Sequence, residues 1–139
     1  MNILDVNYLA VLVAGVVGMG IGAFWYSPAA FGKQWAAQMG WSESKLKEHA
    51  KKLSGSSYAI AFVTQLVMSF VLAQLIANIG VTDLTQAVML AFWLWLGFIA
   101  TTFMGSVLWE ARSWQFYAIN TVYQLVVMVV MSVILTLWV

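Results

Sequence analysis

Four long apolar stretches dominate this chain: about Tyr8 to Tyr26, Ser57 to Ile79, Leu84 to Leu108 and Phe116 to Val139, none with a charged residue deep inside it. A helix of about 20 apolar residues crosses a hydrocarbon core roughly 30 Å thick. Each stretch meets that requirement. Composition closes the alternative: 63% of the residues are hydrophobic and 8% charged, against about 25% charged in soluble domains. A water-soluble domain this short has too much surface for its volume to hide so much apolar matter. Lipid offers the backbone no hydrogen-bond partners, so each segment must satisfy itself as a helix. The expected fold is all-α, a single transmembrane domain over 1–139 with four membrane-spanning helices.

The loops set an expected orientation. Lys33, Lys45, Lys47, Lys51 and Lys52 fall between spans one and two, and Arg112 between spans three and four. All the basic side chains thus share one side, which the positive-inside rule makes cytoplasmic, with both termini outside. Span one follows Asp5 and lacks a basic leader, so it reads as a retained helix rather than a cleaved signal. Trp25, Tyr26, Trp35, Trp41, Trp109, Trp114 and Tyr117 gather at the basic boundary, as interfacial anchors do. Trp93 and Trp95 lie deeper and are expected to pack against neighbouring helices.

Span two opens Tyr58-Ala59-Ile60 and continues to Val63, Gln65, Leu66 and Val67. Span four repeats that pattern from Tyr117-Ala118-Ile119 to Val122, Gln124, Leu125 and Val126. Ala14, Gly18, Gly22 and Tyr26 in span one are echoed at the same steps by Gly97, Thr101, Gly105 and Trp109 in span three. Small residues four apart line one helix face and admit a close neighbour, the usual mode of helix association in lipid. Together these echoes suggest an internal duplication, two helical hairpins in tandem related by an axis along the membrane normal.

At 100° per residue, Tyr58, Gln65 and Ser69 share one side of span two, and Tyr117, Asn120, Thr121 and Gln124 one side of span four. Thr64, Gln74 and Asn78 make a second polar side on span two. Amides are costly in hydrocarbon, so these sides should face protein or an enclosed wet space. Two readings stay open: interhelical glue, or a vestibule facing the cytoplasm that takes a small polar solute. No ionisable group lies at depth, which disfavours a proton-coupled exporter of the kind that relies on a buried glutamate.

Between spans one and two, Phe31, Trp35 and Met39 recur every four residues beside Gly32 and Ala36, indicating a short interfacial helix. Gly40-Trp41-Ser42 breaks it. Ser42 is placed to cap a second helix ending near Gly55, with Leu46, Ala50 and Leu53 as an apolar stripe facing lipid and its lysines near headgroups. Glu110 is expected to pair with a loop lysine such as Lys33, and His49 to be a solvated surface side chain.

Cysteine is absent and His49 is the only histidine, so disulfides, thiolate chemistry and the common zinc sites are out of reach. No catalytic constellation or nucleotide-binding glycine loop appears, and a net charge of +1 leaves no nucleic-acid footprint. The chain is not expected to be an enzyme or to carry a cofactor.

The run Gly22-Ala23-Phe24-Trp25-Tyr26-Ser27-Pro28-Ala29-Ala30-Phe31-Gly32-Lys33-Gln34-Trp35, with the Trp109-Glu110 pair after span three, resembles a family of small bacterial membrane proteins known as domain of unknown function 1761. That resemblance covers nearly the whole chain. It implies a four-helix protein of the bacterial inner membrane and no established activity. The functional expectation is a small homo-oligomeric transporter or channel for a small solute, surrounded by membrane lipids. The alternative is a scaffold recruiting a cytoplasmic protein partner or lipid through its basic loop.

Overall fold

The computed structural model describes all 139 residues, Met1–Val139, and is built of helices with no strand. Four helices are long and apolar enough to cross a membrane: α1 (Tyr8–Trp25), α4 (Gly55–Ile79), α5 (Leu84–Leu108) and α6 (Trp114–Leu137). Two short helices, α2 (Gly32–Gln38) and α3 (Glu43–Lys52), lie between α1 and α4.

Local chemistry sets the ends. The Asn7 side chain accepts from the Leu9 and Ala10 amides at the start of α1. Ser42, Ser54, Asp83 and Ser113 do the same for α3, α4, α5 and α6, each satisfying an amide the helix leaves free. Gly80, at φ 82°, closes α4 in the left-handed conformation that glycine adopts cheaply. One boundary differs from expectation: α3 stops at Lys52, and Gly55 begins α4 instead of ending α3. Ser54 is the reason, because its cap on Ser57 starts the next helix at once.

α1 packs along α4, and α5 along α6, while α6 also lies against α1 and α4. α6 is therefore the spine. In its apolar window 44% is buried, against 17% for α5, which rests chiefly on α6. Ala10, Ala14, Leu72, Ile76, Val127, Met131 and Leu135 form the centre of the bundle. Lipid supplies no hydrophobic drive between helices, so close fit of small residues must hold them. A Cβ on Gly18 would sit 2.5 Å from Gln65 Oε1 and 2.6 Å from Met131 Cε, and one on Gly22 2.8 Å from the Tyr123 hydroxyl. Ala14, Gly18 and Gly22 thus lie on the side of α1 that faces α4 and α6.

Their counterparts on α5 do not. Gly97 has nothing within 4 Å of a would-be Cβ, Gly105 meets only the Trp109 ring at 3.6 Å, and Thr101 is exposed. A π-helical turn over Trp95–Ala100 explains the departure. It inserts an extra residue into the turn and rotates the remainder of the helix. The face of α5 that meets α6 runs Ala87, Ala91 and Trp95 in steps of four, then Ala100 after five. Trp95 donates to the Thr121 carbonyl at 2.7 Å, and the Tyr117 hydroxyl to the Ala100 carbonyl at 2.7 Å. Trp93, contrary to the packing expected of it, is 60% exposed on the outer face.

At the end opposite the lysines, the first residues run extended beside α4. Gln74 Oε1 accepts from the Leu4 amide at 2.9 Å and its Nε2 donates to the Leu4 carbonyl at 2.8 Å. Asn78 repeats this with Asn2 at 3.1 and 2.9 Å. Two residues of extended chain span about 6.6 Å and one i,i+4 step of helix about 6 Å, so the two ladders match. The polar side of α4 that carries Gln74 and Asn78 thereby serves as a clamp for the N-terminal strap.

Candidate functional site

The basic end of the bundle is built on the bend just after α1. Ser27 donates its hydroxyl to the Phe24 carbonyl at 2.6 Å, and Pro28 ends the helix. The Phe31 amide then reaches back to the Trp25 carbonyl at 2.8 Å and the Gly32 amide to Ser27 at 2.9 Å. Gly32 is buried where any Cβ would collide with the Tyr26 and Ser27 backbone. Gly32→Ala should therefore cost about 1–3 kcal/mol, because backbone cannot step aside as a side chain can. Equilibrium unfolding in mixed micelles checks this; an unchanged midpoint would contradict the fit described here.

The bend turns a chain of aromatic rings inward. Trp25 lies 4.5 Å from Phe31, Tyr26 sits edge-on to Tyr123 at 5.2 Å and to Trp35 at 5.9 Å, and Trp35 meets Trp41 at 5.4 Å. Trp41 in turn packs on His49 of α3 at 4.9 Å, with Lys45 over its ring. Trp25 Nε1 donates to the Ile119 carbonyl at 3.0 Å, and the Gln38 amide bonds Gln115 at 2.8 Å, fastening α2 to α6. These rings are therefore mostly internal contacts. Trp109 and Trp114 remain exposed, as boundary anchors are.

Beneath α3 lies a pocket of about 560 Å³, a cavity open to the outside. Leu46, His49, Ala50 and Leu53 of α3 roof it; Tyr26, Trp35, Phe103 and Phe116 form its aromatic walls; Asn120 and Gln124 of α6 supply amides. The apolar stripe of α3, expected to face lipid, faces this cavity, and His49 borders it. The Tyr26 hydroxyl donates to Asn120 Oδ1 at 2.6 Å. Gln124 Oε1 is buried without a hydrogen-bond partner. No wall residue is a lysine, arginine or carboxylate.

Of the polar residues singled out from sequence, Asn120 and Gln124 reach the cavity and the others do not. Gln65 is buried against Gly18 with its Oε1 unpartnered. Ser69 donates to the Val11 carbonyl at 2.9 Å, joining α4 to α1, while Thr121 donates to the Tyr117 carbonyl of its own helix at 2.7 Å. Tyr58 is 55% exposed, since residues 55–61 of α4 have no helix covering them. Gln65 and Gln124, matched in sequence, thus stand in different surroundings. Glu110 forms no ion pair with Lys33 or any other residue; the one salt bridge joins Lys52 to Glu48 at 3.5 Å along α3. The chain leaves α5 through Ala111 at φ 56°, and Glu110 instead borders a shallow groove with Trp109, Thr102 and Ser106. Tyr123, Phe103 and Phe116 carried no distinguishing signal in an alphabet so rich in aromatics.

A family model described as "Protein of unknown function (DUF1761)" matches residues 9–136. The chain belongs to this family. The DUF1761 match runs from α1 into α6 and so contains the aromatic bend, the α3 roof and both cavity amides. Neither a curated protein nor a solved structure matches the chain.

Proposed function

We propose that this protein handles a small solute at its lysine-rich membrane face, as a homo-oligomeric transporter or channel of the bacterial inner membrane rather than an enzyme. The cavity under α3 carries the reading: a mainly apolar space with four aromatic rings and two amides in its wall, at the lysine-rich end of the bundle. The bundle centre beyond it is filled by Val127, Met131 and Leu135, so passage would use a neighbouring copy or a rearrangement of α6. The sparsely covered face of α5 around Gly97 is the surface offered to that copy. A scaffold role is the second reading, favoured by the exposure of α3, where only Leu46 is part-buried.

Proteoliposomes tested with a panel of small neutral solutes should take one up faster than protein-free vesicles. Ala50→Trp, which fills the cavity, should abolish that flux while leaving unfolding unchanged. A dispersed monomer with no flux for any solute would defeat the transport reading. The proposed orientation is tested separately on this cysteine-free chain: Ser44→Cys should be labelled only after permeabilisation, and Thr82→Cys from outside. The reverse pattern would invert the topology.

A further inference from the structure

We infer that the cavity selects a neutral, flat ring compound bearing a hydrogen-bond donor, which it holds against Gln124; this rests on the cavity being a solute site. Three observations converge. The walls around Tyr26, Trp35, Phe103 and Phe116 are ring faces and edges, which favour offset or edge-on contact with another ring. A charged ligand would meet no counter-charge there, since no lysine, arginine or carboxylate lines the wall. Burying an ion without a partner is far more costly than burying a neutral ring.

The third observation decides the polar group. Asn120 Oδ1 is already engaged by the Tyr26 hydroxyl, whereas Gln124 Oε1 is buried with nothing to accept from. A buried acceptor left unmade is unfavourable, and most such atoms in folded proteins find a donor. The last torsion of glutamine is broad, so the amide is free to turn toward a donor in the cavity. An N–H or O–H on the ring edge would complete it.

Equilibrium dialysis of the full-length protein in nanodiscs, against empty nanodiscs, tests this with indole, 1-methylindole and indole-3-acetate. Indole should bind about five-fold more tightly than 1-methylindole, which lacks the donor, in line with one net hydrogen bond. The anionic indole-3-acetate should bind most weakly. In Gln124→Leu the preference for indole over its methyl derivative should vanish while both still bind. Equal binding of the two in the wild type, blocked by Ala50→Trp, would overturn the donor inference and leave the solute site standing. Binding of indole-3-acetate as tight as indole would overturn neutrality. No binding above empty nanodiscs by any probe would overturn both the inference and the solute site.

Discussion

Gly18→Leu should separate α1 from α4 and α6 and cost about 3 kcal/mol or more, the upper range for overpacking a filled interior. Both nearest atoms are the ends of flexible side chains, which can yield to one carbon but not to four. The first added carbon would already lie within 2.6 Å of both Gln65 Oε1 and Met131 Cε, and three further carbons would come after it. Displacing Gln65 also moves an amide that lipid cannot hydrate. Gly97→Leu is the control, with no atom within 4 Å of its would-be Cβ. It should change protomer stability by less than about 0.5 kcal/mol, as exposed substitutions do. Equilibrium unfolding in mixed micelles compares the two, and similar costs would contradict the packing described here. Light scattering gives a second readout: a Gly97→Leu protomer that folds but no longer self-associates would support α5 as the surface between copies.

Gln74→Leu combined with Asn78→Leu should release the N-terminal strap. Four hydrogen bonds link these amides to the backbone of Asn2 and Leu4. A net hydrogen bond contributes about 0.5–1.5 kcal/mol, so the double variant should lower the local opening free energy of the strap by about 2 kcal/mol or more. Amide exchange at Asn2 and Leu4 would then quicken roughly thirty-fold, with α5 and α6 unaffected. Unchanged protection at Leu4 would mean that contacts of Val6 and Asn7, not the clamp, hold this segment. Single variants should fall between, because each amide grips one residue of the strap.

Much of the architecture is legible in the sequence because hydropathy and caps are local properties. The four spans, the Ser42 cap, the break at Gly40 and the tight face of Ala14, Gly18 and Gly22 all depend on residues within one or two turns of each other. The π turn in α5 is not legible. Trp95 to Ala100 reads as ordinary apolar helix, and only the docking of Trp95 on Thr121 and Tyr117 on Ala100 distinguishes it. The same limit applies to α3. Its stripe of Leu46, Ala50 and Leu53 is equally suited to lipid and to a cavity, and periodicity cannot choose between them. Asn120 and Gln124 stand out by the cost of polar side chains in hydrocarbon, a cost that Ser69, Thr121 and Gln74 meet by donating to backbone carbonyls.

By itself the sequence determined the solvent, the number of helices and which groups had to find partners, since each depends on transfer free energies summed along a short segment. Only the tertiary structure decided which partner each group found. That choice depends on the rotation of α5 past its π turn, on the bend at Gly32 that swings α2 and α3 back over α6, and on distances between residues nearly a hundred positions apart, such as Tyr26 and Asn120. Such distances belong to the assembled helices and to no single segment.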